Sequence, residues 1–149
     1  MPALTLPLPG LPATEALGAR IAAQLRTGDA VLLSGPLGAG KSALARALLR
    51  ALLQDPLLDV PSPTYTLVQA YPSRLGPVQH FDLWRLDGPA ALHELGWDDA
   101  ATDGVALVEW PDRLGPLAPP DALYVTLSYD GEARRAALHG WPGRLEQLL

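Results

Sequence analysis

The sequence predicts an α/β domain with a mostly parallel central sheet flanked by helices and a C-terminal antiparallel hairpin. Two short apolar runs, residues 30–33 and 105–108, are typical of strands buried on both faces of a sheet. Residues 42–53 are rich in Ala, Leu and Arg and contain no helix breaker, which favours a helix. A strand, a glycine-rich loop and a helix therefore follow one another, as in parallel α/β sheets.

The elements before this unit are short. Residues 4–8 form an apolar edge, and apolar residues at helical spacing begin after Thr14. Thr14 is the expected N-cap of that first helix, because its hydroxyl can accept a hydrogen bond from the backbone. Gly28-Asp29 then reads as the turn into the first buried strand.

The later elements follow from alternation and turn residues. Short strands are expected at residues 66–71 and 78–83, and Gly96 closes a short helix that begins at Leu86. A hairpin is expected from two strands of alternating residues, 122–129 and 133–138, around a turn at Asp130-Gly131. A helical tail is expected at residues 143–149.

Composition indicates one domain, residues 1–149, and excludes several classes of site. The 149 residues lie within the usual domain size. The net charge of −5 argues against a surface that blankets nucleic acid, so that any RNA role is expected to run through partners. With no cysteine there is no disulfide, thiolate zinc site or cysteine nucleophile.

The expected location is the cytoplasm, without a membrane partner. Residues 1–10 are apolar but broken by proline, and they lack the basic residues that open a signal peptide. Arg46 and Arg50 interrupt the most hydrophobic helical stretch, so no run reaches the length of a membrane helix.

One eight-residue stretch fits the phosphate-binding pattern G-x-x-x-x-G-K-[ST] at every fixed position: Gly35-Pro36-Leu37-Gly38-Ala39-Gly40-Lys41-Ser42. Glycines let the backbone curl so that its N–H groups point at phosphate oxygens, and the dipole of the following helix adds to that attraction. In such loops the lysine reaches the β- and γ-phosphates and the hydroxyl ligates Mg²⁺. Lys41 is the single lysine of the chain, so its compact charge lies where phosphate binding needs it.

Two acidic residues are candidates for the metal and for hydrolysis. Glu109 ends the second apolar strand, and a buried strand rarely ends in an acid that has nothing to pair with. Asp82 is the second candidate, with a surface acid or a helix cap as the alternative for both. Thr64, between the loop helix and the Asp82 strand, could sense the γ-phosphate through its hydroxyl or belong to an ordinary Ser-Pro turn.

Taken together, these stretches resemble the TsaE (YjeE) family, small bacterial P-loop ATPases of transfer-RNA threonylcarbamoyladenosine biosynthesis. The resemblance runs from Thr14 to Trp110, in family order and at family spacing, and falls off toward the C-terminus. Beside the phosphate loop, the matching stretches are Ser62-Pro63-Thr64-Tyr65-Thr66-Leu67-Val68, His80-Phe81-Asp82-Leu83-Trp84-Arg85-Leu86, Glu94-Leu95-Gly96 and Val108-Glu109-Trp110-Pro111.

The resemblance implies a P-loop fold that binds ATP and Mg²⁺ and hydrolyses ATP. Residues 38–42 would bind phosphate, with Ser42 on Mg²⁺ where the family usually has Thr. Asp82 and Glu109 would have metal or hydrolysis roles, and Thr64 would act as a switch.

Further family positions are implied around the nucleotide. Trp110 would lie near it, Thr14 at the rim of the base and Arg134 at the rim of the phosphates, whereas a plain core aromatic is the alternative for Trp110. Pro36 stands where the family usually has Asp, so turnover could differ here while binding should not.

The resemblance also implies partners. The family acts with TsaB and TsaD, and TsaD-type proteins transfer the threonylcarbamoyl group to adenosine 37 of transfer RNAs that read ANN codons. The chain would then be a slow ATPase needed for repeated cycles, reaching transfer RNA indirectly through the TsaB-TsaD complex.

Three other functions compete with this one. A small-molecule or nucleoside kinase shares the loop and the size, but the only tight arginine pair is Arg134-Arg135 and no lid-sized insertion is visible. A GTPase is less favoured still, because the guanine-reading N-K-x-D element is impossible in a chain that has no Asn and whose one Lys is in the phosphate loop. A nucleotide-gated binding module that does not hydrolyse ATP stays open.

Overall fold

The computed structural model describes residues 3–61, 63, 67–86 and 89–148. Its strands are β1 (Ala3–Leu8), β2 (Ala30–Ser34), β3 (Val68–Tyr71), β4 (Val78–Asp82), β5 (Val105–Glu109), β6 (Leu123–Asp130) and β7 (Ala133–Gly140). Its α-helices are α1 (Leu11–Gln24), α2 (Lys41–Leu52) and α3 (Trp97–Asp103). Three 3₁₀ segments complete the description: Pro89–Leu95, Pro111–Leu117 and Leu145–Leu148.

All seven strands form one sheet in the order β1-β7-β6-β2-β5-β4-β3. The four strands in the middle, β6, β2, β5 and β4, run parallel, whereas β3 on one side and β7 and β1 on the other are antiparallel to their neighbours. The predicted fold class, including the C-terminal hairpin of β6 and β7, is confirmed. The phosphate loop leaves the carboxyl end of β2, at the centre of the sheet.

Each buried central strand contributes alternate residues to two hydrophobic clusters, one on each face of the sheet. In β2, Val31 and Leu33 join the cluster that includes α1 and α2, while Ala30 and Leu32 join the cluster under α3. The two helices over the first face approach closely, since a Cβ on Gly18 would lie 2.8 Å from the Cβ of Ala47. The sheet and α2 thus form a rigid base for the loop between them.

Several predicted boundaries were wrong. Helix α1 begins at Leu11 with Gly10 as its N-cap, so Thr14 lies inside the helix and is not its cap. The strand predicted from residue 66 begins at Val68, and residue 66 itself lies outside the described residues. The hairpin turn lies one residue later than predicted, because Asp130 pairs with Ala133.

Two predicted helices are short 3₁₀ segments. Residues 86–95 were expected to form a helix, and the observed segment is Pro89–Leu95, which Gly96 ends with a φ of 81°; residues 87 and 88 lie outside the described residues. The C-terminal tail is likewise a 3₁₀ turn, Leu145–Leu148, and α3 was not predicted. None of the helices within the described ranges is long and apolar enough to cross a membrane.

Candidate functional site

The phosphate loop takes backbone angles that glycine adopts readily. Gly35, Gly38 and Gly40 have φ values of 139°, 79° and 109°, in the region where a side chain causes strain. A Cβ on Gly35 would lie only 2.4 Å from the carbonyl oxygen of Leu127, so the chain can turn out of β2 only without a side chain there. Gly40 is the N-cap of α2 and has no side chain with which to cover the first N–H groups of the helix.

Lys41 is buried at the start of α2. Its Nζ donates to the carbonyl oxygens of Gly35 at 2.5 Å and Pro36 at 3.1 Å. Burial lowers the pKa of Lys41 from 10.5, and the negative charges of Glu109, Asp82 and Asp112 oppose that shift. These contacts hold a cationic side chain against the loop, directly beside acidic groups.

Asp82 and Glu109 end the neighbouring parallel strands β4 and β5 and are paired in register. Both side chains are buried. The hydroxyl of Ser42 donates to Oε1 of Glu109 at 3.1 Å, and Oδ1 of Asp82 accepts a hydrogen bond from the N–H of Trp84, also at 3.1 Å. The carboxyl ends of the two strands therefore bring the predicted acids and the loop hydroxyl together.

His80 is a site residue that the sequence reasoning missed. Its Nε2 lies 2.7 Å from Oε2 of Glu109, and the two side chains are only 2% and 3% exposed. The available signal was its position two residues before Asp82, which places both side chains on one face of β4.

These groups surround one cavity of about 250 Å³. The lining residues, all predicted apart from Ala43, are Leu37, Gly38, Gly40, Lys41, Ser42, Ala43, Asp82, Glu109 and Trp110. Ala39 is buried and its N–H donates to the carbonyl oxygen of Pro36, so this residue shapes the loop from the core side.

A second cavity of about 240 Å³ shares Gly38, Gly40 and Ala43 with the first and lies between α1 and the β6–β7 hairpin. Thr14 and Arg134 both line it, although they are far apart in sequence. The position of Thr14 inside α1 therefore directs it toward the loop.

The hairpin also touches the phosphate loop. Arg134 donates from Nη2 to the carbonyl oxygen of Gly38 at 3.3 Å, and the hydroxyl of Tyr129 donates to the carbonyl oxygen of Leu37 at 2.6 Å. The guanidinium of Arg134 lies over the Tyr129 ring, 4.4 Å from its centroid. Tyr129 is a second residue that sequence reasoning missed.

Thr64, predicted as a switch, lies outside the described residues.

The donor set suits a magnesium ion that comes with a nucleotide. Within the described parts of the chain, no three His, Asp or Glu side chains are grouped so that they could hold a metal by themselves. Ser42, Glu109 and Asp82 instead offer a few oxygen donors beside a glycine loop. Mg²⁺ keeps several waters and binds through one or two carboxylates plus substrate phosphates, which these residues fit.

Comparison with known proteins identifies the family. Residues 8–137 match the family described as "Threonylcarbamoyl adenosine biosynthesis protein TsaE". The TsaE protein of Rickettsia felis is 33% identical over 122 residues, which are 82% of this chain and 71% of that protein. The corresponding protein of Haemophilus influenzae is 37% identical over 123 residues, or 80% of this chain and 77% of its own.

The fold has a solved counterpart. The crystal structure of YdiB from Bacillus subtilis superposes with a TM-score of 0.78 at 25% identity, covering 99% of this chain and 91% of that one. Sequence and fold agree over most of the chain, and the chain therefore belongs to the TsaE family of tRNA threonylcarbamoyladenosine biosynthesis proteins.

Proposed function

We propose that this chain binds ATP with Mg²⁺ at the phosphate loop, hydrolyses it slowly, and thereby supports threonylcarbamoyladenosine formation at position 37 of transfer RNA with TsaB and TsaD proteins. The observation that carries the proposal is the hydrogen bond from the Ser42 hydroxyl to the Glu109 carboxylate beneath the glycine loop. It puts a phosphate cradle, a metal-ligating hydroxyl and a buried carboxylate in one cavity.

Binding begins with the loop. The backbone around Gly38 and Gly40 and the first turn of α2 offer N–H donors and the positive end of a 12-residue helix. Lys41, held by loop carbonyls, carries the ammonium that pairs with the β- and γ-phosphates. The neighbouring cavity between Thr14 and Arg134 offers space for the base and ribose.

Ser42, Glu109 and Asp82 are the residues that would hold magnesium, directly or through water. When bound, Mg²⁺ neutralises phosphate charge and polarises the phosphoryl group. The carboxylate of Glu109, fixed at the end of β5, can accept a hydrogen bond from the attacking water and orient it.

Slow turnover in the isolated chain follows from the arginines near the loop. Arg134 is bonded to carbonyl oxygens of its own hairpin and of Gly38, and Arg135 pairs with Asp130. A transition-state arginine is worth about 10³ to 10⁵ in rate and can be supplied by a partner. We therefore expect TsaB and TsaD to accelerate phosphate release.

The test combines binding, turnover and modification. ATP is titrated with and without Mg²⁺, and phosphate release and threonylcarbamoyladenosine formation are measured with and without TsaB and TsaD of the same organism. We expect faster phosphate release and repeated rounds of modification when the partners are present. Thr64→Ala should weaken this coupling more than it weakens ATP binding.

Other outcomes point to other functions. Equal modification with ATP and a non-hydrolysable analogue would replace hydrolysis by nucleotide-gated binding. Partners that neither bind in the presence of ATP nor alter turnover would overturn the proposal, and a screen of small-molecule and nucleoside substrates would then test a kinase.

A further inference from the structure

We propose that His80 is a positioning residue for Glu109: its imidazole anchors one carboxylate oxygen in the core, so that the other stays directed at Ser42 and the cavity. This role rests on the proposed hydrolysis, to which it adds a residue that neither the phosphate loop nor the acidic pair includes.

The contact between the two side chains is enclosed. His80 and Glu109 lie on adjacent parallel strands, and their 2.7 Å contact is almost completely shielded from water. A buried carboxylate is costly unless hydrogen bonds replace its water. Because an ionised carboxylate only accepts hydrogen bonds, the anchoring requires that the Nε2 of His80 carry the hydrogen and donate it.

The two oxygens of Glu109 have different partners. Oε2 is bonded to His80, while Oε1 accepts from the hydroxyl of Ser42 at 3.1 Å on the cavity side. The terminal torsion of a glutamate is broad and restrains the carboxylate poorly by itself. The bond from His80 therefore supplies the restraint that keeps one oxygen available to the site.

The other ring nitrogen of His80 indicates that the contact with Glu109 is the reason for a polar side chain at this buried position. Across the ranges that the structure describes, the buried Nδ1 of His80 has no hydrogen-bond partner. A buried polar atom without a partner costs about 1 to 3 kcal/mol, which an apolar side chain of similar size would avoid. A histidine that only filled space in the core would gain nothing to offset that cost, whereas one that anchors Glu109 gains a hydrogen bond.

The first experiment observes the contact in the free protein, without nucleotide. The ring ¹⁵N and ¹H signals of the chain's three histidines, His80, His93 and His139, are assigned by substitution. We expect His80 to hold its hydrogen on Nε2, with a hydrogen-bonded proton signal that disappears in Glu109→Ala. A hydrogen on Nδ1 instead, or a signal unchanged in Glu109→Ala, would overturn the anchoring.

The second experiment separates positioning from binding. We expect His80→Phe to lower kcat by roughly tenfold or more, since small misplacements of reacting groups cost up to about a hundredfold, while KM and ATP affinity change little. His80→Gln, whose amide can still donate, should recover most of the rate. His139→Phe removes an exposed histidine that stacks on Tyr124 and is the matched control.

The outcomes separate this role from the proposed function. Wild-type protein that hydrolyses no ATP, even with TsaB and TsaD, would contradict the function, while the ring signals would still decide the anchoring. Wild-type hydrolysis together with an unchanged kcat in His80→Phe would overturn the positioning role alone. Should His80→Phe fail to fold in denaturant titration, a kcat in His80→Gln as low as that of Glu109→Gln would likewise overturn it.

Discussion

The ammonium of Lys41 lies 4.0 Å from the centroid of the Trp110 ring. The same nitrogen donates to the carbonyl oxygens of Gly35 and Pro36, so it is held between the loop and the residue that follows β5. A cation over an indole is worth about 0.5 to 2 kcal/mol, more when water is excluded. Trp110 therefore helps to hold the charge that the proposed phosphate binding would use.

Removing that charge should remove most of the ATP affinity. We expect Lys41→Ala to weaken binding by roughly tenfold or more, because charge-assisted hydrogen bonds contribute about 1.5 to 3 kcal/mol each. Arg46→Ala is the matched control, since Arg46 lies about one turn further along α2 and lines a different groove with Glu15 and Arg50. Calorimetric titration measures both variants, and unchanged affinity in Lys41→Ala would refute the phosphate-loop assignment.

The pKa of Lys41 should lie below 10.5 and should fall further in Glu109→Gln. Burial lowers this pKa, and the charge of Glu109 is the largest influence opposing the shift, so removing that charge strengthens the net lowering. Because the chain has a single lysine, ¹³C-labelled lysine gives one side-chain signal whose titration reports this pKa directly. A higher pKa in Glu109→Gln than in the wild type would contradict the electrostatic coupling.

The same lowering has a defined sign for stability. Between the lowered pKa of folded Lys41 and 10.5, the unfolded chain binds more protons than the folded one. The contribution of Lys41 to the free energy of unfolding therefore rises with pH in that window, and below it the cost of burying the charge is fully present. The difference between wild type and Lys41→Met in denaturant titrations at several pH values isolates this contribution from that of the tyrosines.

Local sequence patterns were sufficient to predict the phosphate loop and the strands around it. The apolar runs of β2 and β5, the glycines and the uninterrupted α2 all depend on neighbours in sequence. Glu109 could be predicted because it ends such a run, whereas Asp82, in a strand that also holds Gln79 and His80, was predicted only as a second acidic candidate.

Contacts between distant segments could not be predicted in this way. The bond between His80 and Glu109 spans 29 positions and depends on the register of β4 against β5. The contact of Tyr129 with the phosphate loop likewise needs the placement of the hairpin beside β2. Thr14 was wrongly predicted as an N-cap because the prediction placed the start of the helix where the helical spacing of apolar residues begins. The helix starts earlier, with Pro12 in its first turn, where proline is well tolerated.

The backbone at Trp110 should make glycine better tolerated than alanine there. Trp110 has a φ of 60°, in the left-handed region that costs a side-chain-bearing residue about 1 to 2 kcal/mol. Trp110→Gly and Trp110→Ala both lose the ring over Lys41, so they differ mainly in this backbone cost. We expect the glycine variant to be more stable by about 1 kcal/mol in denaturant unfolding, and equal stability would show that the turn relaxes.

Turnover should depend on Glu109 beyond its contribution to binding. Glu109→Gln keeps the shape and can still accept a hydrogen bond from Ser42, but it lacks the charge that would orient water and ligate metal in the proposed hydrolysis. We expect this variant to keep its ATP affinity and to hydrolyse ATP about 10²-fold more slowly, measured by phosphate release in the presence of TsaB and TsaD. Asp82→Asn is the companion variant, because Asp82 ends the neighbouring strand in register with Glu109. Near-normal phosphate release by Glu109→Gln together with its loss in Asp82→Asn would transfer the hydrolytic role to Asp82.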